Sequence, residues 1–243
     1  MKRLLLSLLA LLAALSASAQ RADAPVRLSA GLAAGTTGLG VEAAVLLPQD
    51  IGFRAGFNYL QAGVPLSFTL PEDFGGDGSA TTFKAALNMN HGYLLADIYP
   101  VPQGRFRLTG GFWVGSPAFV RLYNVTPLPD AFNSIGIDVD GYSVHAVDNN
   151  LSAVLRVNAF KPYLGVGYGR PRPDRRWSVS FDAGILWWGN PGLFAKGYDM
   201  LDEEKVVQLT SAALSDMDKG ILDKAGRMKV WPVVRCLVYF RIF

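Results

Sequence analysis

The sequence predicts an all-β fold: an eight-stranded antiparallel transmembrane up-and-down β-barrel, with a short amphipathic helix in the loop between strands seven and eight. Three observations predict it. Apolar residues alternate with small or polar ones along eight segments, the period-two pattern of strands. The connections between those segments alternate between short and long. The chain also opens with an export signal: "MKRLLLSLLALLAALSASAQ" passes from Lys2 and Arg3 through the apolar stretch Leu4 to Leu15 to Ala17-Ser18-Ala19. That charged, apolar, small-residue order marks a secretory signal peptide.

The apolar stretch is well short of the roughly 20 residues a spanning helix needs. Cleavage is expected after Ala19, leaving residues 20–243 as the barrel domain. No cysteine stands directly after that site, which argues against a lipoprotein anchor. No other stretch reaches 18 consecutive apolar residues, so helical spanning is excluded. The net charge of +3 is spread without a basic stripe, which gives no sign of a nucleic-acid partner. Cys236 is the single cysteine, so neither a disulfide framework nor a cysteine zinc site is available. No metal and no cofactor are expected.

Each strand is read from its alternation. Val26, Leu28, Ala30 and Leu32 alternate with Arg27, Ser29 and Gly31. Leu39, Val41, Ala43, Val45 and Leu47 alternate with Gly40, Glu42 and Ala44. Ile51, Phe53, Ala55, Phe57 and Tyr59 oppose Gly52, Arg54, Gly56 and Asn58. Phe83, Ala85, Leu87 and Met89 oppose Lys84, Ala86, Asn88 and Asn90. Phe106, Leu108, Gly110 and Phe112 oppose Arg107, Thr109 and Gly111. Pro162, Leu164, Val166 and Tyr168 oppose Tyr163, Gly165 and Gly167. Trp177, Val179, Phe181, Ala183 and Ile185 oppose Ser178, Ser180, Asp182 and Gly184. Val234, Cys236, Val238, Phe240 and Ile242 oppose Arg235, Leu237, Tyr239 and Arg241.

The turns Pro48-Gln49-Asp50, "PVPQGR" (100–105) and "RPRPDRR" (170–176) are short and built from turn residues. Longer loops are expected at about 63–80, 124–158 and 189–229. Only Gly35-Thr36-Thr37-Gly38 is short on the long-loop side. Within the last loop, Asp202, Glu203 and Glu204 suit a helix N-terminus. Val206, Thr210, Ala213, Met217 and Ile221 then follow at helical spacing. This predicts a helix around 202–225, packed on the barrel rim or presented to a partner.

A soluble β-sandwich would share the alternation. Against it stand the repeated apolar face, of the length that crosses a tilted bilayer, and a sparse opposite face suited to a narrow lumen. The aromatics also gather at predicted strand ends. Tyr59, Tyr99, Phe106, Trp177, Trp187, Trp188 and Trp231 are expected in interfacial girdles.

The stretches "PYLGVGYG" (162–169), "WSVSFDAGIL" (177–186) and "LLADIYPV" (94–101), with the aromatic end of "KVWPVVRCLVYFRIF", resemble the small outer-membrane β-barrels of Gram-negative bacteria, the OmpA/OmpW-like superfamily. The resemblance spans the whole mature chain, barrel domain only. It implies integral residence in the outer membrane, contact with its lipid, and insertion by the barrel-assembly machinery. Phe240, Ile242 and Phe243 resemble the insertion signal such barrels carry, though Phe243 is one residue out of step with the outward face. The extracellular ligand is unknown, because fold does not assign function.

By parity, Arg27, Glu42, Arg54, Lys84, Arg107, Asp182, Arg235 and Arg241 point into the lumen. Eight strands enclose a space that side chains fill, so Glu42 and Asp182 are expected to pair with arginines. The network would plug the barrel or form an anion-preferring constriction. Asp97 has lipid-facing parity unless a bulge near Ala96 turns it or it lies at the interface. His91 also has lipid-facing parity. His145, near Ser143 and Asp148, is weak ground for catalysis. "PEDFGGDGS" (71–79) and "IDVDGYS" (137–143) lack full calcium-loop spacing. The expected function is structural, in envelope integrity or surface interaction through the outer loops, and not enzymatic. A narrow porin-like pore for small solutes is the alternative, and a lipid-modifying enzyme the third.

Overall fold

The computed structural model describes residues 27–48, 50–69, 80–134, 136–139, 142–170, 176–198, 204–209 and 229–242. The expected signal peptide and Phe243 lie outside them. Fourteen strands occur among the described residues: β1 (Arg27–Gly35), β2 (Gly38–Leu46), β3 (Ile51–Thr69), β4 (Ala80–Ile98), β5 (Phe106–Gly115), β6 (Ala118–Asn124), β7 (Ile137–Val139), β8 (Tyr142–Val144), β9 (Ser152–Arg156), β10 (Phe160–Tyr168), β11 (Trp177–Trp187), β12 (Gly192–Tyr198), β13 (Glu204–Leu209) and β14 (Val230–Arg241).

Eight of them close a ring. β1 pairs β2, and pairing continues through β3, β4, β5, β10, β11 and β14 back to β1, antiparallel at every step. Each ring strand contains one of the eight alternating segments. The seam between β1 and β14 is stitched by a side chain. Pro232 has no N–H to offer a ladder. The Thr36 hydroxyl donates to the Pro232 carbonyl at 2.9 Å and accepts from the Val234 N–H at 3.0 Å.

The ring is not closed evenly. The β1–β2 hairpin turns at once through Thr36 and Thr37, whereas β3 and β4 run 19 residues each. They stay in register from Ile51↔Ile98 to Thr69↔Ala80 without a shift. The outer half of β4 pairs β6, which pairs β9, then β12, then β13. β6, β9 and β12 adjoin β5, β10 and β11 in sequence across the breaks Ser116–Pro117, Val157–Ala159 and Trp188–Pro191. Pro117 and Pro191 cannot donate a ladder hydrogen bond, so the strands end there. A wall of sheet thus rises from one side of the ring.

Much of what the sequence suggests as outer loop is therefore strand. The segment expected as a loop at 63–80 is strand as far as Thr69 and again from Ala80. The expected helix is also corrected. Glu204–Leu209 is β13, paired with β12 from Leu193↔Leu209 to Tyr198↔Glu204. Its β-branched Val206 and Val207 suit a strand, and the free edge of β12 supplies the partner that helical spacing cannot show. The remainder of the 202–225 segment lies outside the described residues.

Ring and wall have opposite polarity. In the ring, Phe53, Phe57, Leu94, Phe106, Leu164 and Phe181 point outward and are exposed, while charged residues are buried inside. On β3 the outward residues Ile51 to Tyr59 give way to Gln61, Gly63, Pro65 and Ser67. The inward residues Gly52, Arg54, Gly56 and Asn58 give way to Leu60, Ala62, Val64 and Leu66. The same exchange occurs on β4. Its inward face is Asp97, Leu95, Tyr93, His91 and Met89, all buried. This corrects the phase read for strand four. The segment 83–90 belongs mostly to the wall, where the apolar face turns inward. Lys84 therefore faces outward. Asp97 and His91 face the lumen with no bulge.

Candidate functional site

The site is the interior of the ring, a stack of side-chain layers. At the short-turn end, Asp50 and Arg170 form an ion pair between two turns on opposite sides of the ring. The Arg170 guanidinium lies 4.7 Å over the Tyr99 ring. Asp50 adopts φ 61°, and its carbonyl accepts from the Tyr99 N–H at 3.0 Å. Above this clasp is a cavity of about 10 Å³, bordered by Gly52, Tyr99 and Arg107, room for at most one water.

The next layer holds three arginines and three carboxylates from six strands: Glu42, Arg54, Asp97, Arg107, Asp182 and Arg235, each at most 3% exposed. Arg54 grips Asp97 through Nε at 2.7 Å and Nη2 at 3.0 Å, and donates from Nη1 to Asp182 at 2.7 Å. Asp182 also accepts from Arg107 and, at 2.8 Å, from Arg235. Glu42 accepts from the Tyr93 hydroxyl at 2.8 Å and from the Tyr239 hydroxyl. Thr109 donates to Asp97 at 2.6 Å. Arg107 donates to the Gly169 carbonyl at 2.6 Å. The charges cancel, three against three. Gly167 makes this fit possible, because a Cβ there would come within 2.6 Å of the Asp182 carboxylate and 2.7 Å of the Arg107 Nε. Buried charges are tolerated when paired and hydrogen-bonded, and the strands that deliver these groups converge on one level.

Higher still, Arg235 lies under Tyr93 and Trp113, at 4.8 and 5.3 Å from their centroids. Tyr93 stacks on Trp113 at 4.7 Å, and Tyr163, Leu186 and Val233 complete that layer. His91 and Lys161 are buried on the same side of the ring, and Asn58 donates to Thr37 at 2.6 Å. A lid of Met89, Phe119, Val157 and Trp188 covers the top.

Of the eight charges assigned to the lumen, Glu42, Arg54, Arg107, Asp182 and Arg235 meet in one network. Arg27 and Arg241 keep inward parity but sit near the short-turn rim, half-buried and exposed respectively. Lys84 belongs to the outer face of the wall. Asp97, left out by parity, is a full member.

The aromatics divide as well. Tyr59, Phe106, Trp177 and Trp187 are exposed on the outside, with Trp177 edge-on to Phe240 at 5.0 Å. Tyr99 and Trp188 are buried instead, and Trp231 is half-buried 5.3 Å from both Phe119 and Trp188. These three point inward, as base and lid of the lumen, and leave the expected girdle. Phe240, Ile242 and Cys236 face outward and are exposed. His145 lies 5.1 Å from the Tyr198 ring. Residues 71–79 lie outside the described residues, and residues 137–139 and 142–144 form the β7–β8 hairpin.

No family model matches the chain, and no curated protein matches it. Among solved structures, the chain is similar to CarO2 of Acinetobacter baumannii, with a TM-score of 0.49 and 20% identity over 89% of this chain and 98% of that one. CarO of the same organism gives 0.49 and 19% over 88% and 97%. A major outer membrane protein from Thermus thermophilus gives 0.42 and 14% over 89% and 98%.

Proposed function

We propose that the protein is an integral outer-membrane barrel of the small OmpA/OmpW-like kind, exported by its signal peptide, with a structural or surface-interacting role and no catalytic one. The observation that carries this reading is the placement of charge. The ring holds its arginines and carboxylates inside and turns Phe, Leu and Ile outward, an arrangement that suits lipid and would be costly in water. From Ile51 to Tyr59 the outward apolar face of β3 covers nine positions, the length of a tilted crossing. The lumen is filled at the clasp, the charge layer, the aromatic layer and the lid, which supports a sealed barrel over a pore. Insertion would use the barrel-assembly machinery acting on Phe240, Ile242 and Phe243.

Fractionation followed by unboiled gel electrophoresis tests the placement. The protein should partition with the outer membrane and change mobility on boiling; a soluble periplasmic protein would overturn the reading. In planar bilayers the protein should give no steady conductance. Steps abolished by Arg54→Ala or Glu42→Ala would establish a pore instead.

A further inference from the structure

The outer face of the wall carries a basic stripe that the sequence order hides. Antiparallel partners share a face. The pairs Lys84↔Tyr123, Ala86↔Arg121 and Ala118↔Arg156 therefore set Lys84, Arg121 and Arg156 on one side, across β4, β6 and β9, with Phe194 of β12 beside them through Phe194↔Val154. Unbroken β3–β4 register makes this the same side as the exposed Leu94 and Ile98 of the ring. The three strand segments 80–90, 118–124 and 152–156 contain no Asp or Glu, and the first acid on this face is Glu204 of β13, opposite Tyr198.

Two of the cations are held in place. The Arg156 guanidinium lies 5.0 Å over the Phe194 ring. The Lys84 stem crosses Gly63, where a Cβ would come within 2.6 Å of its Cε. Arg121 and Arg156 flank a shallow cleft of about 330 Å³ that Tyr123, Ser152 and Val154 also border. Lys84 pairs Pro65, six residues along unbroken β3 from Tyr59 at the top of the apolar band. At about 3.3 Å per residue and a strand tilt of ~40°, that puts this level of the stripe about 15 Å above the band.

We infer that this stripe binds the phosphate-bearing sugar headgroups of outer-leaflet glycolipid. The occupant follows from charge and position. A basic surface that continues an apolar, lipid-facing one meets the anionic headgroups of the same lipid. Two arginines beside an open cleft can chelate a phosphate, and the cleft leaves room for the sugar. The inference rests on the outer-membrane placement above.

The test uses the full-length folded barrel in detergent and three probes: purified lipopolysaccharide, the same material dephosphorylated, and phosphatidylglycerol vesicles. Wild type should retain lipopolysaccharide in a salt-sensitive manner, and the dephosphorylated form much less. The double variant R121Q/R156Q should bind roughly five-fold more weakly for each charge removed, yet keep its heat-dependent gel mobility. K205Q, whose ammonium is within 3.3 Å of the Tyr142 hydroxyl on the inner side, should bind like wild type. Unchanged binding by R121Q/R156Q, equal retention of dephosphorylated material, or equal capture by phosphatidylglycerol would overturn the inference. A wild type that is soluble and shows no heat shift would bring down the membrane placement itself.

Discussion

The ring and the wall share strands but not chemistry. On β3 one alternation runs through both, and at Tyr59 the two faces exchange character. Below, the outside is Ile51, Phe53 and Phe57 and the inside holds Arg54. Above, the outside is Gln61 and Ser67 and the inside Leu60 and Leu66. The backbone does not register this change, since the β3–β4 ladder passes through it without a bulge. The difference teaches that strand geometry sets only which residues share a face. The surroundings decide which face is apolar, so on the proposed membrane placement the exchange marks where lipid stops and water begins.

The comparison breaks most severely if the ring loses its inner charge balance. Asp182→Ala removes the carboxylate that Arg54, Arg107 and Arg235 share. It should cost about 3–5 kcal/mol, seen as a fall in the heat-modifiable fraction and in the urea midpoint. A near-wild-type midpoint would show the network to be idle. A second test places one cation on either side of the exchange. Leu94→Arg, opposite Ala55 at mid-band, should cost about 2–4 kcal/mol. Gln61→Arg, outward and exposed on the wall, should change stability by no more than about 0.5 kcal/mol. Equal costs would erase the boundary. The smallest effect is expected at the clasp. Arg170→Ala should cost about 0.5–1 kcal/mol, because its pair with Asp50 is partly exposed. Bilayer conductance should stay closed, since the charge layer above remains.

The ring was legible because each crossing repeats its own pattern, and eight such repeats reinforce one another. The wall was not, for the same reason. Phe83, Ala85, Leu87 and Met89 alternate as cleanly as a lipid-facing set, yet Met89 is buried inside and Leu87 packs against the same cluster. Alternation reports a face, not what lies against it, and that one ambiguity turned Lys84 inward and put Asp97 and His91 outside. With Asp97 restored, the charge layer becomes a neutral set of three against three, with Lys161 buried above it. Tyr99, Trp188 and Trp231 show a related limit. An aromatic at a strand end suits an interface or a plug, and the choice depends on parity at the last residue. β13 escaped detection because its six residues are too few to display a period, and its pairing with β12 is a tertiary fact.

The stitch at Thr36 bears on the order of assembly. Its hydroxyl reaches Pro232 and Val234, almost 200 positions along the chain, and among the described residues β1 pairs no other late strand. While the polypeptide is being made and delivered, the first hairpin carries an open edge that nothing nearby in sequence can cover. Closure is therefore a rendezvous between the earliest and latest strands, the slowest kind of contact to find. Until it happens, that edge presents a row of unpaired N–H and C=O groups.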